Sequence, residues 1–241
     1  MASVPTNVAH IEIARIASVL ASIPEDHTSW LSNSEQERLA SIRSDARRTE
    51  YLAGHWLTRV LLARAFGSTP AQWRLLERKS QPPLVQDQDA LRVSITHTRD
   101  WIAAAVATIP IGIDLEQRPR KLDASIEALL RNADEAAGSL DLDAMLQRWV
   151  VKEAWIKRNA ESALPVRLKQ LHLRATPREL ADVRIDSNPS FHFALAIAPG
   201  CTVMRRCEAP LIPGAAFAIT DLESGYRNSN VSQTVDRQPH F

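Results

Sequence analysis

Residues 111–116 read IGIDLE. In a strand, Ile111, Ile113 and Leu115 face one side while Gly112, Asp114 and Glu116 face the other. Two carboxylates at i and i+2 repel unless something compensates them. One remedy is a divalent cation: Mg²⁺ favours a few carboxylates together with substrate phosphate oxygens. The other is an edge strand that runs its acids into solvent. Gly112 leaves room for another group to come close. A third acid comes from WVVKEAWIKR at 149–158. At helical periodicity Leu142, Met145, Leu146, Trp149 and Ile156 form one apolar stripe, and Glu153 falls inside it. A carboxylate there requires a salt bridge, hydrogen bonds or a metal. Trp149, Glu153 and Lys157 are spaced i, i+4, i+8, so all three can point into one cleft. Either Glu153 pairs internally with an arginine, or it is a third acid with Lys152 and Lys157 as phosphate contacts.

THTRD at 96–100 adds His97, placed where a short strand gives way to a turn. It can contact an anion there or be merely structural. Arg43, Arg47, Arg48 and Arg59 cluster ahead of it, with Lys79 later. They form a solvated helix face or a grip on phosphate. There is no G-x-x-x-x-G-K-[ST] loop and no dinucleotide fingerprint.

Several elements must position these groups. A first strand is expected at 11–19. LSNSEQERLASI opens a helix with Ser32 as cap and Glu35 at its third position. RRTEYLAGHWLTRVLLARAF continues as a helix, with Tyr51, Leu52, Trp56, Val60 and Leu61 at helical spacing, and Gly67 to Pro70 end it. A short strand is expected at 73–78, and KSQPPLV reads as a turn. VSITH and WIAAAVAT are arms of a hairpin, followed by the strand IGIDLE. Helical patterns return at 123–137 and 141–158. Beyond them FHFALAIA at 191–198 is the clearest strand, and the end of the chain is polar and weakly patterned. The class is α+β, with no regular strand–helix repeat, and a helix plus several strands occurs both before and after residue 118.

The bulk numbers narrow the options. With 29 basic and 28 acidic residues the net charge is +1, which argues against a general nucleic-acid binder. Cys201 and Cys207 supply neither a disulfide framework nor metal-type spacing. There is no secretory leader pattern and no 18-residue apolar run, so the expectation is a cytoplasmic protein without a membrane partner.

The order of RRTEYLAGHWLTRVLL, VSITHTRDWIAAAVA, IGIDLE and WVVKEAWIKR resembles the 4′-phosphopantetheinyl transferases, in their long, monomeric, two-lobed class. The resemblance covers most of residues 43–160, and FHFALAIA is similar to the strand that follows. It implies two pseudo-symmetric subdomains of antiparallel strands packed on helices. Residues 1–117 would form the lobe with coenzyme A contacts. Residues 118–220 would form the lobe with the metal-site helix and carrier surface, and 221–241 a polar tail. The implied reaction moves the phosphopantetheine arm of coenzyme A onto a serine of an apo acyl or peptidyl carrier protein, releasing adenosine 3′,5′-bisphosphate. Asp114, Glu116 and Glu153 match the magnesium acids, with Glu153 as general base. Lys157 matches the lysine at the pyrophosphate, Lys152 the lysine beside Glu153, and Thr96-His97 a Ser-His pair that contacts phosphate. Arg47 and Arg48 match nucleotide-gripping residues, and Glu135 a further acid. Where the family has Gly-Lys/Arg-Pro, this chain has Ser80-Gln81-Pro82; either coenzyme A binding is weaker or Arg78 or Lys79 supplies the missing charge. The competing readings are a binding-only relative and another Mg²⁺-dependent phosphohydrolase.

Overall fold

The computed structural model describes residues 7–79, 81–118, 128, 130, 141–160 and 164–221. The eleven strands of these residues are β1 (Val8–Arg15), β2 (Leu75–Arg78), β3 (Gln81–Val85), β4 (Arg92–Thr98), β5 (Trp101–Ala107), β6 (Ile111–Gln117), β7 (Leu171–Ala175), β8 (Val183–Ser187), β9 (Phe191–Ile197), β10 (Thr202–Cys207) and β11 (Ile212–Asp221). The helices that matter here are α1 (Ile16–Leu20), α2 (Asn33–Ser41), α3 (Asp45–Phe66) and α4 (Leu142–Arg158). The architecture is α+β. One sheet has the order β10-β1-β5-β4 and a second β6-β9-β8-β11-β7, while β2 and β3 form a separate ribbon. All pairings are antiparallel except β10 with β1, so a late strand closes the first sheet in parallel.

The alanine-rich strand β5 explains the layering. Its Ile102, Ala104 and Val106 pack with Ala53, Leu57 and Leu61 of α3. Its Trp101, Ala103, Ala105 and Ala107 pack with Ile111, Ile113 and Leu115 of β6 and with Phe191 and Phe193 of β9. A strand buried on both faces reads as a continuous apolar run, and small side chains let a helix and a sheet approach from opposite sides. On the far face of the second sheet, Val150, Val151 and Ala154 of α4 meet Val183, Ile185, Ala194 and Ala196. The order of layers is therefore α3, first sheet, second sheet, α4.

The sheets meet edge to edge where β4 faces β6. No backbone ladder joins these strands; β4 substitutes a row of hydroxyls. Ser94 Oγ accepts the Ile113 N–H at 3.1 Å, and Thr98 Oγ1 accepts the Gln117 N–H at 3.2 Å. Between them Thr96 Oγ1 donates to Asp114 Oδ1 at 2.9 Å. The period-two spacing of Ser94, Thr96 and Thr98 puts all three on this seam.

Helix α3 starts at Ser44, whose hydroxyl accepts the Arg47 N–H, and stops at Gly67, whose φ of 86° is open to glycine at little cost. Helix α4 is capped by Asp141, which accepts the Ala144 N–H at 2.7 Å. Its start is tied to the second sheet by Asp143, which bonds His192 and Arg118 at 2.9 and 2.7 Å, while Ser187 Oγ lies 2.6 Å from the other ring nitrogen of His192.

Several expectations are revised. The first strand is Val8–Arg15 and turns into α1 at Ile16, instead of running through 11–19. KSQPPLV is not just a turn: Gln81–Val85 pairs with Leu75–Arg78, its prolines tolerated on a two-stranded ribbon. Leu142 leaves the apolar stripe of α4 and is 37% exposed. Ser32 and Glu35 do form a reciprocal capping box, but Glu35 is also fully buried. It takes Arg59 Nη2 at 2.6 Å and His55 Nδ1 at 2.7 Å. Arg59 is thus a core counter-ion that lies over the Trp30 ring, not part of a phosphate grip. Most of the helix expected at 123–137, with Glu135 in it, and residues 222–241 lie outside the described residues; positions 128 and 130 are helical.

Candidate active site

Gly112 fixes the relation between β6 and α4. A β-carbon there would sit 2.0 Å from the Ala154 carbonyl oxygen and 2.4 Å from the Arg158 nitrogen. The strand and the helix backbone are in direct contact, so residues one period further along β6 are presented to the same helix. Asp114 is 3% exposed, and Lys157 Nζ donates to its Oδ1 at 2.6 Å. Glu153, one turn before Lys157, lies 3.7 Å from the same ammonium. Glu116 follows on the same face of β6 and lines the same cleft.

That cleft holds about 650 Å³ and is lined mainly by polar groups. One wall is Asp114, Glu116 and Gln117 of β6 with Glu153 and Lys157 of α4. The other is Ser44, Arg47 and Glu50 around the start of α3, with Thr96, His97, Thr98 and Arg99 of the β4–β5 hairpin. A cleft with carboxylates on one side and a histidine and arginine on the other suits a ligand that brings phosphate.

The electrostatics follow from this crowding. Burial, reinforced by Asp114 and Glu116, pushes the Glu153 carboxyl up to about 7, with Lys157 pulling the other way. Burial alone would lower the Lys157 ammonium, but Asp114 and Glu153 outweigh it and hold it above the ordinary lysine value. Burial holds the His97 ring below its ordinary value, and the Arg47 and Lys157 cations add to that against Glu50.

The site thus brings together Asp114, Glu116, Glu153, Lys157, Thr96, His97 and Arg47. Three expected basic residues stand elsewhere. Lys152 is fully buried and its ammonium donates to the Leu130 and Leu168 carbonyls. It follows Val151 on the inner side of α4, so the helical twist carries it away from Glu153. Arg48 donates to the Leu39 carbonyl at 2.9 Å and does not line the cleft. Lys79 is exposed in the β2–β3 turn, and the Arg78 guanidinium donates to the Pro82 carbonyl; neither lines the cleft. Glu50 was not foreseen, although its i+3 spacing from Arg47 puts the two on one helix face.

Among the described residues, no three histidine, cysteine, aspartate or glutamate side chains are gathered closely enough to form a ready metal cage. The donor chemistry nevertheless fits a hard divalent cation. Asp114 Oδ2 is buried without a hydrogen-bond partner, and the two other carboxylates flank it. Unpaired buried oxygen of this kind is costly unless a cation completes it. None of the described helices is long and apolar enough to cross a membrane.

No family model matches the chain. It is similar to several curated proteins. The 4′-phosphopantetheinyl transferase psf-1 of Bacillus pumilus is 31% identical over 120 residues, 47% of this chain and 50% of the relative. A 4′-phosphopantetheinyl transferase of Bacillus subtilis is 31% identical over 121 residues, 48% of this chain and 53% of the relative. The 4′-phosphopantetheinyl transferase Sfp of Bacillus subtilis strain 168 is 23% identical over 189 residues, 73% of this chain and 81% of the relative. The first two matches span about half the length of the relatives, while the third extends across most of its relative at lower identity.

Proposed function

We propose that this protein transfers the 4′-phosphopantetheine group of coenzyme A to a serine hydroxyl of an apo acyl or peptidyl carrier protein. The observation that carries the reading is the Lys157–Asp114 pair, flanked by Glu153 and Glu116 and facing Arg47 and His97 across one cleft. Transfer from a pyrophosphate needs charge neutralisation on the phosphates and a base for the incoming hydroxyl. This cleft has groups of both kinds. Similarity to phosphopantetheinyl transferases supports the substrate class. The two-lobed description, with the first lobe ending near residue 117 and the second near 220, is part of the same proposal.

In this scheme Asp114, Glu116 and Glu153 hold Mg²⁺, which when bound supplies positive charge at the pyrophosphate oxygens. Lys157 donates to the bridging region of the pyrophosphate, exchanging part of its bond to Asp114 for one to phosphate. His97 and Arg47 bind phosphate from the opposite wall. The carrier serine oxygen forms a bond to the pantetheine-side phosphorus as the bond to adenosine 3′,5′-bisphosphate breaks, and the leaving group keeps that electron pair. Glu153, on the same wall of the cleft, accepts the serine proton. The second reading, a phosphohydrolase, differs in the nucleophile: water would release phosphopantetheine instead of attaching it. Incubation with coenzyme A, Mg²⁺ and a panel of apo-carriers, followed by intact mass, tests the proposal. A phosphopantetheine adduct is expected. Consumption of coenzyme A without an adduct on any carrier would favour hydrolysis.

A further inference from the structure

Resting on that function, the geometry points to Glu50 as a positioning residue that fixes the tautomer of His97 and supplies the counter-charge for its protonation when phosphate enters. His97 sits between two groups of α3. Arg47 Nη1 is 3.0 Å from its Nε2, and Glu50 Oε2 is 3.5 Å from its Nδ1. A guanidinium can only donate, so Nε2 must present its lone pair and the ring proton must be on Nδ1, facing Glu50. Arg47 also reaches Glu50 at 3.3 Å, which closes a triangle of three side chains at the cleft wall.

The members of this triangle differ in freedom. The Arg47 side chain is 64% exposed and that of Glu50 only 18%. The exposed arginine is the one able to move, while the carboxylate stays. In the free protein Arg47 caps the imidazole, and burial disfavours the charged ring. The charges facing the ring are Glu50 and Arg47 from α3, Lys157 from α4 and Asp114 from β6. A phosphate dianion is a better partner for Arg47 than a neutral imidazole. Once Arg47 turns to it, Nε2 is released beside the same anion. The ring then gains a proton from solvent and donates through Nε2 to phosphate, with Glu50 accepting from Nδ1. Glu50 never touches the substrate; it acts through His97.

Long-range ¹H–¹⁵N NMR of the free protein tests the first half without any ligand. The expected result is a neutral His97 with its proton on Nδ1. Glu50→Gln should weaken that preference and lower the ring's titration, because an amide offers no counter-charge. An Nε2–H tautomer in the wild type, or an unchanged titration in Glu50→Gln, would overturn the role of Glu50 whatever ligand the cleft takes. Calorimetry of coenzyme A binding in buffers of different ionisation enthalpy tests the second half. Net proton uptake is expected in the wild type, falling toward zero in Glu50→Gln, with affinity near neutral pH reduced about tenfold for each unit by which the ring's titration falls. Equal uptake in both proteins would overturn the proposal. A protein with the expected tautomer that fails to bind coenzyme A would instead overturn the function proposed above, and with it the phosphate-linked step.

Discussion

Lys157 carries the most at the scale of single residues. Its ammonium bonds Asp114 and stands near Glu153, so it already holds together the two elements that would meet the pyrophosphate. Replacing it with methionine keeps most of the volume but leaves Asp114 with a charge and no cation beside it. We expect transfer to fall about 10²–10³-fold, the usual cost of losing one preorganised donor at a charge-developing centre. Steady-state kinetics with coenzyme A and a carrier checks this; activity within a few-fold of wild type would move the role elsewhere. That Asp114, Glu116, Glu153 and Lys157 would gather at one cleft was legible from residue type and period, and His97 stood out by its place at a strand end. Lys152 could not, because flanking Glu153 in sequence means pointing about 100° away on a helix. Glu50 was hidden for a different reason. A glutamate on a mixed-charge helix face looks solvated until the histidine from a distant strand is known to stand beside it.

At the scale of elements, the contact between β6 and α4 turns two separate motifs into one wall. Gly112→Ala would drive a methyl into the Ala154 carbonyl and the Arg158 amide, both backbone groups that cannot rotate away. Helix α4 must shift, carrying Glu153 and Lys157 with it. Overpacking of this kind costs about 1–3 kcal/mol, and transfer should fall further than stability alone explains. Thermal unfolding alongside activity separates the two; wild-type values for both would mean that strand and helix are less tightly apposed. Helix α2 carries the acid-sensitive element. Burial would raise the Glu35 carboxyl, but His55 and Arg59 pull it from 4.5 down to about 2. A depressed carboxylate contributes stability above its ordinary value and loses it as the pH falls toward the folded one. That contribution should therefore be complete above about pH 4.5 and disappear progressively toward pH 2. Glu35→Ala, which strands Arg59 in the core, should cost about 3–5 kcal/mol at neutral pH by denaturant unfolding. The sequence displayed Ser32 and Glu35 as a helix start, which they are. That the same carboxylate is a core anion depends on Arg59 arriving from α3, a pairing no local pattern reveals.

For the whole molecule the cleft lies where two sheets come edge to edge, and the seam is chemical as much as topological. Ser94→Val leaves the buried Ile113 N–H without its acceptor, at about 1–3 kcal/mol. Amide exchange at Ile113 should quicken if the seam carries load, and unchanged protection would show that the packing of Ile113 suffices without the hydroxyl. Strand identities at 93–97, 101–108, 111–116 and 191–198 were legible because alternation and apolar runs are local. The edge-to-edge seam and the parallel return of β10 were not, since both are pairings between distant segments. The central claim joins all three scales: acids from a strand and a helix, a lysine from that helix, and a facing wall with Arg47 and His97 together move phosphopantetheine onto a carrier. The most direct measurement follows wild type and Asp114→Ala side by side with coenzyme A, Mg²⁺ and an apo-carrier, mapping the modified residue by tandem mass spectrometry and quantifying released adenosine 3′,5′-bisphosphate. The account predicts one serine modified, one bisphosphate released per adduct, and neither with Asp114→Ala. Equal modification by both proteins, or bisphosphate released with the carrier unmodified, would contradict it.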